Sequence, residues 1–204
     1  AGWAEFRFGA GRTARSMVML TLGTGLGGAI ILDDRLIRGA FGAAGELGHM
    51  RVVPSGHYCG CGHEGCWEMY ASGRALTRAA RMALITDEAR AGRLRELAEA
   101  DGTKVKGQHV TQAAGEGDPL ARELVEELGR WLGAGMADLA AVLDPELFVV
   151  GGGVAETGDL VLEAARASFR AQLSARGYRP EARIELAELG NEAGIVGAAD
   201  LVRH

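Results

Sequence analysis

The chain has 204 residues, 48% of them hydrophobic and 24% charged, enough to bury one substantial core and ordinary for a soluble globular domain. A net charge of -5 with no basic run argues against a nucleic-acid surface, because phosphate binding relies on clustered lysine and arginine. No run of about 18 uncharged apolar residues exists and the opening AGWAEFRFGAGR has no signal-peptide pattern, so no membrane partner is expected and a reducing cytoplasmic setting suits the grouped cysteines.

In chain order, Trp3 to Phe8 reads as the end of a helix, interrupted at Gly9 and Gly11. Ser16 to Leu22 and Ala29 to Leu32 are short apolar runs, and Asp33-Asp34 makes a turn before a third short strand at Arg35 to Arg38. The loop between the first two runs fits G-x-G-x-x-G at Gly23, Gly25 and Gly28. A dinucleotide site needs a helix directly after that motif, and a strand pattern follows instead. No Gly-Lys-Ser/Thr follows, which excludes a P-loop. Two hairpin readings remain. Either backbone N–H groups and the Thr24 hydroxyl cradle a phosphate, or the glycines supply the positive φ that a tight turn needs.

The stretch from Gly45 to Glu68, GELGHMRVVPSGHYCGCGHEGCWE, holds all three cysteines and three of the five histidines. Cys59, Cys61 and Cys66 form C-x-C-x4-C, with His49 upstream across an apolar run that reads as a strand. Three thiolates and one imidazole make a closed tetrahedral shell for a structural Zn²⁺. The competing reading is free or redox thiols, although any disulfide leaves one cysteine unpaired and a Cys59–Cys61 bridge would be strained. Glycines at 60, 62 and 65 allow the sharp folding the metal reading requires. His57 and His63 compete with His49 for the fourth position; His49 is preferred. Glu46 and Glu68 stand beside these ligands. A metal-locked loop would aim both carboxylates, and paired acceptors suit the hydroxyls of a sugar. His49 could meet the same ligand with its second ring nitrogen.

Ser72 is an N-cap for a helix to about Met82 with Ala75, Leu76 and Ala79 on one face. A short helix is expected near Ala89 to Ala100, and Thr111 as the cap of a further turn. Asp118 at N-cap and Pro119 at N1 open the longest helix, reaching about Leu143 with a stripe at Leu120, Leu124, Leu128, Leu132, Met136 and Leu139-Ala140. Trp131 with Gly129, Gly133 and Gly135 would let another helix, or a twin subunit in a homodimer, approach closely. Leu147 to Val150 is a strand running into Gly151-Gly152-Gly153, followed by a helix from about Asp159 to Ser174, a strand near Arg183 to Leu186 and a last helix after Asn191-Glu192 to about Val202. Alternating strands and helices make the fold α/β.

The motifs G-E-L-G-H at 45 to 49, C-G-C-G-H-E-G-C-W-E at 59 to 68 and L-G-T-G-L-G-G-A at 22 to 29 resemble the ROK family of sugar kinases and sugar-responsive repressors, over essentially the whole chain. The resemblance implies an actin-like ATPase (ribonuclease H-like) large domain with a mixed sheet and a zinc loop at 49 to 68. It implies ATP-dependent phosphorylation of glucose or a related hexose to the 6-phosphate, with Mg²⁺, or else the sugar-sensing core of a repressor. It assigns Gly23, Thr24 and Gly25 to the nucleotide phosphates, Gly151 and Gly152 to the adenosine, and Glu46, His49 and Glu68 to the sugar. It also implies that the N-terminal lobe, and the Asn-Asp motif whose aspartate accepts the hydroxyl proton, lie upstream of Ala1. Residues 1 to 204 would then be one large-lobe domain with little phosphoryl transfer of its own.

Overall fold

The computed structural model describes residues 1–202. Five strands form one mixed sheet in the order β3-β2-β1-β4-β5: β1 (Met17–Leu22), β2 (Leu26–Leu32), β3 (Arg35–Leu36), β4 (Leu147–Gly151) and β5 (Arg183–Leu186). The first three form an antiparallel meander, while β4 and β5 join parallel to β1. Seven α-helices are described: α1 (Gly2–Phe8), α2 (Gly73–Thr86), α3 (Gly92–Ala100), α4 (Gly107–Glu116), α5 (Pro119–Leu143), α6 (Asp159–Gln172) and α7 (Ala193–Leu201). None of the described helices is long and apolar enough to cross a membrane.

The two-residue side-chain period of the central strands explains why both faces of the sheet are covered. Val18, Leu20 and Leu22 of β1, with Phe148 and Val150 of β4, join the larger core under α2 to α6. The alternate residues Met17, Met19, Leu147 and Val149 join a smaller core with Trp3 and Phe6 of α1. Burying such side chains contributes about 1.5–3 kcal/mol each. In the register, Thr21 lies beside Gly151, so the β1–β2 turn and the glycine turn after β4 emerge at the same end of the sheet. Carboxyl ends of parallel strands are where ligands collect in α/β proteins.

Several expectations change. The run after His49 is not a strand; Arg51 and Cys66 make only an isolated bridge, because the chain must coil back to group its cysteines. Thr111 lies inside α4 and donates its hydroxyl to the Gln108 carbonyl, so it caps nothing. The helix opened by Asp118 runs as expected from Pro119, with the Asp118 carboxylate accepting from the Ala121 N–H at 2.8 Å. Its glycines are taken up within the chain. A Cβ at Gly129 or Gly133 would meet the Val161 or Ala165 backbone of α6, and one at Gly135 the Trp67 ring. Of the two expectations for these glycines, close approach by another helix is the one met at Gly129 and Gly133.

Candidate functional site

The β1–β2 turn, Gly23 to Gly25, is built for close approach rather than for unusual dihedrals. None of the glycines at 23, 25, 27 and 28 has a positive φ, contrary to the tight-turn expectation. A Cβ at Gly25 would instead lie 2.5 Å from Glu68 Oε2, and one at Gly28 would lie 2.6 Å from Leu47 and 2.7 Å from the Gly45 carbonyl. The missing side chains let the cysteine loop dock onto β2. The Gly23 N–H closes the hairpin onto the Gly25 carbonyl at 3.0 Å, so this amide is not free for a phosphate. The carbonyls of Gly23 and Thr24 accept from the Gly73 and Arg74 amides at 2.8 and 3.2 Å, tying the turn to the start of α2. Gly152 does require its residue type: its φ is +91° and a Cβ would lie 2.7 Å from the Leu22 carbonyl.

Between β3 and α2 the chain forms two short 3-10 turns, Leu47–His49 and Trp67–Met69, with the cysteines between them. Trp67 is fully buried and its indole N–H donates to the Trp131 carbonyl at 2.8 Å, which anchors the loop to α5. Ser72 donates its hydroxyl to the Glu68 carbonyl at 2.6 Å while accepting from the Ala75 N–H, so the α2 cap also holds Glu68. The ligand atoms of His49, Cys59, Cys61 and Cys66 all lie within 4.8 Å of one another, and the cysteines are free thiols. Cys61 and Cys66 sulfurs are 3.5 Å apart, and Cys59 Sγ is 3.7 Å from His49 Nδ1. This group could hold a metal ion. His63 Nδ1 lies 3.7 Å from Cys61, and His57 stacks against Tyr70.

Burial, and then Glu68, push the Cys59 thiol up to about 12. Burial also raises Cys66. Cys61 is exposed and is lowered to about 6, chiefly by hydrogen bonds from His63. The Cys59 thiol donates to Glu68 Oε1 at 3.1 Å, and His49 Nε2 faces Glu46 Oε2 at 3.9 Å. Both acids thus touch the metal-ligand group directly.

Glu46, His49 and Glu68 line one hollow of about 350 Å³ with Thr21, Gly23, Gly25, Gly27 and Gly152. A second hollow, of about 490 Å³, lies across the same turn and is lined by Gly23, Thr24 and Gly153 together with Arg74, Lys106 and Glu156. Gly151, expected at the adenosine, lines neither hollow: it is buried against Ala187 and Met19 of the smaller core. A larger hollow, about 1100 Å³ between α4, α5 and α6, takes in Glu156 and Thr157 from the end of the turn after β4 but touches neither the β1–β2 turn nor the cysteine loop. Sequence reasoning missed Thr21, Arg74, Lys106 and Glu156. Arg74 follows a readable cap at Ser72, but Lys106 precedes a helix whose start carries no Ser, Thr, Asp or Asn signal.

The ROK family model matches residues 1–204, and the chain belongs to the ROK family. A glucokinase of Streptomyces coelicolor is 49% identical over 204 residues, all of this chain and 64% of its own length. The chain thus spans just under two thirds of that relative. The crystal structure of a ROK family glucokinase from Streptomyces griseus in complex with glucose and AMPPNP superposes with a TM-score of 0.90 at 52% identity, covering 99% of this chain and 65% of that one. A ROK family transcriptional regulator, a homolog of the E. coli MLC protein, gives a TM-score of 0.79 at 30% identity, covering 97% of this chain and 48% of its own. The mixed sheet with its flanking helices is the actin-like ATPase arrangement of this family.

Proposed function

We propose that this chain is the sugar-binding large lobe of a cytoplasmic, ATP-dependent kinase that converts glucose to glucose 6-phosphate. The observation that carries the reading is the convergence of Glu46, His49 and Glu68 on one hollow, with a second hollow directly across the Gly23 to Gly25 turn. Two carboxylates beside an imidazole offer acceptors for several adjacent hydroxyls of one sugar ring. The turn between the hollows would separate acceptor from donor by the width of a hairpin, with Thr24 and Gly153 on the donor side, whereas Gly152, expected at the adenosine, lines the sugar hollow instead. The similarity to glucokinases, one of them solved with glucose and an ATP analogue, points to the same substrates.

The ion in this reading is Zn²⁺ on His49, Cys59, Cys61 and Cys66. A tetrahedral zinc–thiolate site has sulfurs about 3.8 Å apart, from Zn–S bonds of about 2.3 Å. The 3.5 Å separation of Cys61 and Cys66 is close to that spacing, and all four ligand atoms lie within 4.8 Å of one another. Zinc there holds the loop, and Mg²⁺ with ATP offsets the charge of the transferring phosphoryl group. Transfer also needs an acceptor for the hydroxyl proton. The acids lining the sugar hollow are Glu46 and Glu68, and Asp33 and Asp34 sit at the β2–β3 tip beside Arg15. In this reading both glutamates grip the sugar, so the acceptor comes from outside the hollow and the chain alone transfers phosphate slowly.

Glucose titration of the chain is the test. Glu46→Gln and Glu68→Gln should each weaken glucose about ten- to a hundredfold, the cost of losing a hydrogen bond to a charged acceptor. Glu64→Gln, an exposed acid on the same loop, should not. Unchanged affinity in both site variants would refute the assignment, and turnover of glucose with Mg-ATP at an enzyme-like rate would refute the missing acceptor. The regulator-like structure supports a second reading, a sugar sensor. A sensor has no need of the second hollow, and an ATP titration separates the two.

A further inference from the structure

The second hollow carries charges that the glycine turns do not explain. Arg74 opens α2 and Lys106 immediately precedes α4, and both side chains are exposed at the lining of this space. The two helix starts are locked together. The Thr77 hydroxyl donates to the Gly73 carbonyl at 2.8 Å and accepts from the Gly107 N–H at 2.8 Å. Buried His109 accepts the Lys106 N–H on Nδ1 at 3.1 Å and places Nε2 2.9 Å from Asp101.

This bracing engages the amides that would ordinarily attract an anion at a helix start. The Gly73 and Arg74 N–H groups go to the β1–β2 turn, and the Gly107 N–H goes to Thr77. Recognition of negative charge here falls to side chains. Among the described residues neither Arg74 nor Lys106 makes a side-chain hydrogen bond or an ion pair, whereas Arg90, between α2 and α3, and Arg93, on α3, are each paired with two carboxylates. Asp101 is near Lys106, but its principal partner is His109. Glu156, from the turn after β4, lies in the same lining as the two cations, with Gln108 and Thr111 as neutral polar groups.

We propose that Arg74 and Lys106 form a two-cation clamp on the phosphate chain of the donor, and that Glu156 reads the hydroxyls of its nucleoside. The donor is therefore a nucleoside triphosphate rather than inorganic polyphosphate. This rests on the kinase reading above. A guanidinium and an ammonium each make charge-assisted hydrogen bonds to phosphate oxygens. A carboxylate accepts from ribose hydroxyls and repels a phosphate placed against it. A uniform polyanion would be favoured by cations on every side of the hollow.

The experiment is a calorimetric titration of the 204-residue chain with Mg-ATP, AMP, adenosine and medium-length polyphosphate, using wild type, Arg74→Ala, Lys106→Ala, Arg74→Lys and Glu156→Ala. The clamp predicts that each alanine cation variant weakens ATP about tenfold while leaving adenosine and glucose affinities unchanged. Arg74→Lys should recover part of the loss. Glu156→Ala should weaken adenosine and ATP alike and improve polyphosphate. ATP affinities equal to wild type in both cation variants, or losses that extend equally to adenosine, would overturn the clamp. Polyphosphate binding as tight as ATP in the wild type would overturn the role of Glu156. Failure of the wild type to bind any nucleotide would instead remove the kinase reading itself. Both cationic side chains are exposed and neither contributes to the backbone bracing, so the fold should survive their truncation.

Discussion

Glu68 shows how a single residue comes to be aimed. Its carbonyl is held by Ser72, and its Oε2 has room only because residue 25 has no side chain, while its Oε1 accepts from Cys59 only as long as that thiol keeps its proton. Gly25→Ala should therefore act on binding more than on stability, since the group displaced is the end of a flexible side chain. We expect a melting temperature within a few degrees of wild type and a loss of glucose affinity of about tenfold or more. Glucose titration beside a thermal melt checks both, and unchanged affinity would count against a sugar contact by Glu68. Glu5 illustrates the opposite case, an acid with a structural task. It is fully buried and accepts from the Ala10, Glu188 and Leu189 amides, which ties α1 to the segment before α7.

Among the elements, the α5–α6 pair is the tightest. Gly133 allows the α6 backbone to approach so closely that a Cβ there would lie 2.1 Å from the Ala165 carbonyl, and backbone cannot move aside as a side chain can. Gly133→Ala should destabilise the chain by about 1–3 kcal/mol through overpacking, even though alanine is the better helix former by about 1 kcal/mol. Urea unfolding measures the balance, and a stabilised variant would mean that α6 slides freely. This packing matters to the site because α5 also supplies the carbonyl that anchors Trp67. The cysteine loop is thus pinned to the helical layer at one end and to β2 at the other.

For the whole molecule, the sheet and helices bury extensive apolar cores of their own, whereas the loop that would carry the proposed ion has few regular hydrogen-bonded elements. Stripping the metal with a chelator should leave the far-ultraviolet circular dichroism nearly intact and abolish protection by glucose against thermal unfolding. Global unfolding on chelation would show that the ion supports the core as well. Metal binding should also depend steeply on pH, because thiolates are the ligands. Near pH 7 Cys61, lowered to about 6, is already ionised, while Cys59 at about 12 and Cys66, also raised, still carry protons. Binding should release about two protons at that pH, so affinity rises with pH and weakens further below pH 6 as Cys61 also protonates. Calorimetry in two buffers of different ionisation enthalpy counts the protons, and a count of zero would contradict the pattern.

The sequence by itself determined the elements with local signatures and the chemical kinds of group in the site. Short continuous apolar strands, the Asp118-Pro119 helix start, the Ser72 cap and the C-x-C-x4-C spacing are all properties of short windows. Only the tertiary structure decided what depends on contacts between distant windows. It placed the ring nitrogen of His49 among the three sulfurs, turned the glycines of α5 toward α6 and Trp67, and engaged the Gly23 amide within its own hairpin. It also brought Arg74 and Lys106, 32 positions apart in the numbering, to one hollow. The physical reason is that a helix-start pattern records the backbone it begins, but not which other helix start the packed core will set against it.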